Sequence, residues 1–382
     1  MRTDLQQASP DQLLPESKLR ELKKDIFSLV DQDKNEEHSY SNTFANIDLV
    51  PRFVRGFGNN IVPVALAESQ NLILENKYEF GGSEFVCRVK PTIIEKEVEG
   101  KVVQFHAHPG EREEIIEKII FKIACSDGLK KVAMAGSQRW GVKFSLYQIR
   151  EELRKIKKTR PYHDIRESLL ILRDSKTTIA QIIGKREIEL TASIFTDAAF
   201  EVNGNGRARD KYFIVLSDYV VEQIMNFNYR QYPFEAINSH GYSLARFFHI
   251  FLKHQWINAT LGHSKDFSLN QIYKNYGNAD LKVEFKRRDF RTALGILVES
   301  GWIVSVPTAR KVTNIFQKSD DNDVDFIYTL EPTRKFVEEV RRANAKLKGI
   351  RAIVDKSIVS GVIPDLAKRV FVHAEPLVNS QE

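Results

Sequence analysis

Phe105-His106-Ala107-His108-Pro109 sets two histidines two positions apart, which puts both on one face of any strand that carries them. That spacing can hold a divalent metal while a tyrosine attacks a DNA phosphate. The chemistry also needs a third ligand and a positioned tyrosine, and neither Tyr147 nor Tyr162 begins a Tyr-x-x-Lys helix pattern. Other catalytic signatures are missing. Gly184-Lys185 has no upstream glycine of a phosphate-binding loop, and Arg186 follows where Ser or Thr would bind magnesium. There is no nucleophile elbow and no His-Glu-x-x-His. The expectation is a non-enzymatic protein without metal or cofactor, and a metal-dependent nicking endonuclease using His106 and His108 is the alternative.

The denser chemistry is basic. Lys282, Arg287, Arg288 and Arg291 cluster in one helical stretch, Lys158, Arg160, His163 and Arg166 in another, and Arg207, Arg209, Arg310 and Lys311 fall at two hairpin positions. Arginine offers paired donors that match guanine edges and phosphate oxygens. One basic helix face is usually just solvated, but two in matched contexts favour double-stranded DNA as partner. The whole chain agrees: 57 Lys and Arg against 51 Asp and Glu give +6, a balance that suits a polyanionic partner. Cys87 and Cys125 are the two cysteines, too few for a disulfide framework, so a reducing cytoplasm is the simplest compartment. No apolar run approaches the roughly 20 residues of a membrane span, and the polar N-terminus lacks a signal-peptide core.

The elements that must position these residues come twice. Phe144-Ser145-Leu146-Tyr147-Gln148-Ile149 recurs as Phe267-Ser268-Leu269-Asn270-Gln271-Ile272. Serine followed three positions later by glutamine is a capping box, so both copies read as a strand entering a helix. The first copy follows strands over Glu84 to Ile94 and Lys101 to His108, a turn at Glu99-Gly100, and a helix from Glu111 to Ala124. That helix stripes Ile115, Ile119 and Ile123 inward, with Glu113, Glu114 and Glu117 largely turned away. After the capped helix, with Leu146, Ile149, Leu153 and Ile156 on its apolar face, come the turn Lys157-Lys158-Thr159-Arg160 and Pro161. The next helix buries Ile165, Leu169 and Leu172 and turns His163, Arg166 and Glu167 outward. Strands over Thr177 to Ile182, Glu187 to Val202 and Lys211 to Leu216 close the unit, the last two joined by a hairpin signal at Asn203-Gly204-Asn205-Gly206-Arg207.

The second copy is shorter. Its helices are Tyr242 to Ile257, the Ser268-capped helix ending at Tyr276-Gly277-Asn278, and Val283 to Glu299 with Phe290, Leu294 and Leu297 inward. Trp302 to Val306 and Val324 to Leu330 are expected to pair as its hairpin. Helix, strand, helix, basic turn, helix, hairpin is the order of a winged helix, whose third helix fits the major groove. The expected architecture is α+β: an N-terminal appendage and linker (1–75), winged helices over 76–230 and 231–349, and a C-terminal tail (350–382). The appendage holds an amphipathic helix, Pro15 to Val30, and a polar linker, Asp31 to Asn42.

With the tandem order, Leu-Val-Glu-Ser-Gly-Trp-Ile at 297–303 and Tyr-Ser-Leu-Ala-Arg-Phe-Phe at 242–248, the chain resembles plasmid replication initiators, most closely the TrfA type, over residues 80–331. The resemblance implies binding to direct repeats (iterons) at an origin, opening of adjacent A·T-rich DNA, a self-dimer in solution, and recruitment of a host initiator and replicative helicase. It carries DNA contact to His163 and Arg166 in one helix and to Arg287, Arg288 and Arg291 in the other. TrfA-like chains also bear a sliding-clamp peptide; here Ile26-Phe27-Ser28-Leu29 lacks its glutamine. The stretch from Lys311 to Asp323 and the tail after Ile350 depart from the pattern. The alternatives are a nicking endonuclease of the rolling-circle type at His106 and His108, and a winged-helix transcriptional repressor.

Overall fold

The computed structural model describes residues 40–55, 60–64, 72–134, 137–184, 186–191, 193–201, 211–313 and 324–359. The helix expected over Pro15 to Val30, the hairpin tip with Arg207 and Arg209, and the end of the C-terminal tail lie outside the described residues.

The folded body starts earlier than the expected boundary at residue 75. Strand β1 (Tyr40–Thr43) pairs antiparallel with β13 (Arg230–Pro233), and helix α1 (Ala45–Asp48) follows it. Phe44, Ile47, Leu49 and Phe53 are all buried in the main core. Their irregular spacing gives no helical or strand period, and the partner strand is nearly 200 residues away, so local pattern could not reveal them. Asn42, expected at the end of a solvated linker, is buried in β1.

The first winged helix is assembled on α2 (Glu111–Asp127). Strands β7 (Lys130–Met134) and β8 (Ser137–Ser145) lead into α3 (Leu146–Lys155), and α4 (Tyr162–Asp174) is the third helix. The Ser145 capping box is complete: its Oγ accepts from Gln148 N, and the Gln148 side chain accepts from Ser145 N. Ile165, Leu169 and Leu172 bury α4 against α2, as the period requires. Hairpin β11 (Phe195–Glu201) and β12 (Lys211–Leu216) completes a sheet of order β11-β12-β8-β7. Gly141 in β8 leaves room for the crossing of β12, since a β-carbon there would strike the Ile214 carbonyl and the Phe213 ring.

Two further sheets flank this unit. One contains β2 (Ile61–Pro63), β6 (Lys101–Ala107) and β5 (Thr92–Val98); the other runs β10 (Arg186–Thr191), β9 (Lys176–Ile183), β4 (Ser83–Lys90) and β3 (Leu74–Phe80). Two expected strands are therefore split. Glu84 to Ile94 breaks at Pro91, whose missing N–H suits a change of sheet, and Glu187 to Val202 divides between β10 and the wing strand β11. Helix α5 (Asp218–Met225), β13 and α6 (Phe234–Asn238) lead to the second module, so the boundary at 230 falls inside β13.

The second winged helix repeats the design with α7 (Ser243–Gln255), β14 (Lys265–Ser268), α8 (Leu269–Tyr276) and α9 (Val283–Glu299). Gly277 ends α8 at φ 94°, a left-handed cap that a side chain would strain. Phe290, Leu294 and Leu297 are fully buried. The wing differs from expectation. Strand β15 (Arg310–Thr313), not Trp302 to Val306, pairs with β16 (Val324–Leu330). Trp302 and Ile303 are consecutive and both buried, which an alternating strand does not allow, so the chain packs there before turning out to the wing. Helix α10 (Arg334–Val359) then crosses the expected boundary at 349 and returns to the body through Phe336, Val337 and Val340.

Polar side chains surround α2, some within the first module and some bridging to the second. Glu113, Glu114 and Glu117, expected to face away from the core, are buried. Arg52 donates to Glu117 through two nitrogens, Arg55 to Glu114 at 2.9 Å, and Ser168 to Glu113 at 2.7 Å. Arg246 of α7 reaches Glu111 of α2, and Arg55 also donates to the Tyr276 carbonyl at the end of α8. Burial alone pushes the Glu114 carboxyl up, but Arg55 and Lys118 beside it outweigh that and hold it well below the carboxylate range.

Candidate nucleic-acid interface

Helix α9 is the most open basic element. With Phe290, Ala293, Leu294 and Leu297 turned inward, the 3.6-residue period leaves Glu284, Phe285, Arg287, Arg288, Arg291 and Thr292 exposed. Each arginine is held differently. Arg287 lies 4.2 Å over the Phe326 ring of the wing, Arg288 stacks 5.0 Å from Phe285 and pairs with Asp289 at 3.5 Å, and Arg291 extends one turn further on. Lys282 is exposed at the helix start. Phe285, which is 46% exposed, was not singled out in the sequence; its signal is a large apolar residue on the charged side of the period.

Beside α9 the wing strand β15 carries Arg310 and Lys311, both exposed. Arg310 pairs with Asp266 at 3.3 Å, which lowers the positive charge on that side of the wing. The structure thus brings Lys282, Arg287, Arg288 and Arg291 onto one helix, with Arg310 and Lys311 on the wing of the same module.

The first module's third helix is more enclosed. One side of α4 packs on α2, and Ile171 on another side joins Ile94 and Ala107 of the β5/β6 sheet. His163 is exposed, but Arg166 is half-buried and donates to the Tyr212 hydroxyl at 3.1 Å. Glu167, expected to face outward, accepts from Arg112 at 2.7 Å and pairs with Lys96 at 3.1 Å. In the turn before α4, Arg160 is exposed and Lys158 is half-buried, its pKa lowered by burial and by Arg246.

A cavity of about 620 Å³ opens on the solvent face of the first wing sheet. Lys130, Lys143 and Lys211 line it with Asp127, Ser145 and Gln148. These lysines were missed as a group because they sit singly on three strands. The available signal was alternation, as in Val142-Lys143-Phe144 and Lys211-Tyr212, which turns each lysine to the face opposite the core.

His108 Nε2 donates to the Leu72 carbonyl at 2.7 Å, and burial lowers its pKa. Among the described residues no three His, Cys, Asp or Glu side chains converge to hold a metal.

No family model matches the chain, and no curated protein matches it. Among solved structures it is similar to domains 2 and 3 of RctB, with a TM-score of 0.42 and 10% identity over 70% of this chain and 93% of that one. A second structure of RctB domains 2–3 gives 0.41 and 11%, over 74% and 97%. The Pi initiator protein in complex with iteron DNA gives 0.36 and 12%, over 58% and 91%. These are similarities of chain course. No helix among the described residues is long and apolar enough to cross a membrane.

Proposed function

We propose that this chain is a DNA-binding replication initiator that recognises repeated sites in duplex DNA through the second winged helix. The observation that carries the DNA reading is α9: three arginines stand on one exposed helix face beside a basic wing strand, and among the described residues Arg287 and Arg291 form no ion pair with a carboxylate. An arginine-bearing helix is narrow enough for the major groove, where its paired donors discriminate guanine. The first module contributes backbone contact and dimerisation. Two modules joined by the buried Arg55, which bonds both Glu114 and the Tyr276 carbonyl, and by the Arg246–Glu111 pair bind as one body, so the spacing of their two footprints is fixed by the protein. The chemistry needs neither metal nor nucleotide.

The initiator role rests on the resemblance of residues 80–331 to plasmid initiators, and it adds opening of A·T-rich DNA and recruitment of a host initiator and helicase. Several bound copies would supply the deformation energy, which flexible A·T-rich steps lower. Permanganate probing of a supercoiled plasmid carrying the non-coding DNA that flanks the coding sequence tests this step. Reactive thymines beside the bound repeats are expected. Protection of a single inverted site with no reactive thymine would make the protein a repressor instead.

A further inference from the structure

We propose that the lysine-lined cavity of the first module seats a backbone phosphate of DNA, taking from outside a negative charge that the second module supplies from within. The inference rests on the DNA-binding reading above.

The duplication makes the two modules comparable position by position. Phe144 lies opposite Tyr212 across β8 and β12, and Phe267 lies opposite Tyr328 across β14 and β16. Each phenylalanine directly precedes its capping serine. Lys143 therefore corresponds to Asp266, Lys211 to Ile327, and Tyr147 to Asn270.

In the second module this place is filled with the chain's own acid. Asn270 N donates to Asp325 Oδ1 at 3.0 Å, and the Ser268 hydroxyl donates to the other carboxylate oxygen. Asp266 accepts from Thr329 at 2.6 Å and pairs with Arg310 at 3.3 Å. A phosphate approaching there would meet two carboxylates.

In the first module the charge is inverted. Lys143 stands where Asp266 stands, Lys211 lies across the strand pair from Ser145, and Lys130 enters from β7. No carboxylate of the described residues accepts from the Tyr147 N–H, the counterpart of the Asn270 N–H. The cavity's one acid, Asp127, is engaged by the Gln148 side-chain amide at 3.4 Å, and its carbonyl accepts from Lys130 at 2.8 Å. Among the described residues, three ammonium groups line the cavity against one carboxylate, at the place whose counterpart in the second module holds an anion, and this balance fits an external oxyanion. A nucleotide fits less well. Phe144 is the one aromatic residue lining the cavity, and it is buried, so a base would have no exposed ring to stack on. The cavity adjoins the β11/β12 wing and the start of the helix leading to α4, where a duplex held by the module presents its backbone.

The test uses the full chain with Lys143→Gln and Lys211→Gln combined. All three lysines are exposed, so the fold is retained. Affinity for a duplex selected from a random pool is measured over a salt series, and base preference is read from the selection itself. Each lost phosphate contact removes about 0.9 from the slope of log affinity against log salt, so the double variant, losing the one seated phosphate, should be shallower by about 0.9 with unchanged base preference. A slope equal to wild type, with wild type still binding, would overturn the cavity and leave the DNA reading intact. Wild type binding no duplex at any salt would overturn both. A companion measurement adds inorganic phosphate at constant ionic strength and follows the Tyr147 amide. Protection of that amide together with an unchanged slope would assign the cavity to a free anion and contradict the proposal.

Discussion

Arg55 donates to Glu114 at 2.9 Å with both side chains buried, and another of its nitrogens donates to the Tyr276 carbonyl at 3.0 Å. One guanidinium thus ties the N-terminal segment to the first helix of one winged helix and to the second helix of the other. Removing it leaves Glu114 buried with Lys118 as its remaining ion-pair partner among the described residues. Arg55→Ala should cost about 3 to 5 kcal/mol in denaturant unfolding, because breaking a buried pair strands its partner. A loss under about 1 kcal/mol would show that the seam does not hold the modules together.

Two buried histidines, His240 and His249, and the half-buried His254 make the protein sensitive to mild acid. Burial lowers His240 to about 4 and His254 to about 3, and it pushes His249 well below its ordinary value, with Lys253 adding to that shift. Between the unfolded value near 6.5 and these folded values, the unfolded chain binds protons that the folded chain refuses. The histidines' contribution is therefore fully present above pH 6.5 and is lost as pH falls below it. Thermal melts should drop steeply between pH 6.5 and 5, before ordinary carboxylates titrate. Equal melting temperatures at pH 7 and pH 5 would contradict this.

Lys253 is fully buried, with Glu339 3.8 Å away and the Trp302 and Phe336 rings beside it. Burial lowers its pKa to about 8. At neutral pH the folded chain carries the full cost of the buried charge, and stability rises as pH climbs from 8 to the unfolded value near 10.4. Lys253→Met, similar in volume, should raise stability at pH 7 by roughly 1 to 3 kcal/mol and remove the alkaline rise. A less stable variant at pH 7 would show that the Glu339 pairing outweighs the burial.

Arg288 stands on the exposed face of α9 with Phe285 as its stacking partner. If it reads a base, Arg288→Ala should cost about 1 to 3 kcal/mol on the preferred site and relax preference at one position. A loss spread evenly over all sequences would make it a phosphate contact. Unchanged binding to both specific and random duplex would remove α9 from the interface.

The legible parts of this molecule are those with a short period. Helices α3, α4, α8 and α9 announce themselves through capping serines, Pro161, Gly277 and inward residues three and four apart. What pattern could not show is long-range. β1 finds its partner in β13, the Arg52 and Arg55 side chains reach glutamates on α2, and the charge on Glu114 looks solvent-facing until its partner is placed. The site divides in the same way. The α9 arginines share one helix and are readable together, whereas Lys130, Lys143 and Lys211 become a cluster only when β7, β8 and β12 are laid side by side.

The central claim, sequence-specific DNA binding through α9, is tested most directly by footprinting the non-coding DNA that flanks the coding sequence, at fixed salt. Wild type is compared with a variant in which Arg287, Arg288 and Arg291 are glutamine. Wild type should protect evenly spaced direct repeats and the variant none, while the variant's melting temperature stays within a few degrees of wild type because all three side chains are exposed. Equal protection by both proteins, or no protection by wild type, would contradict the account.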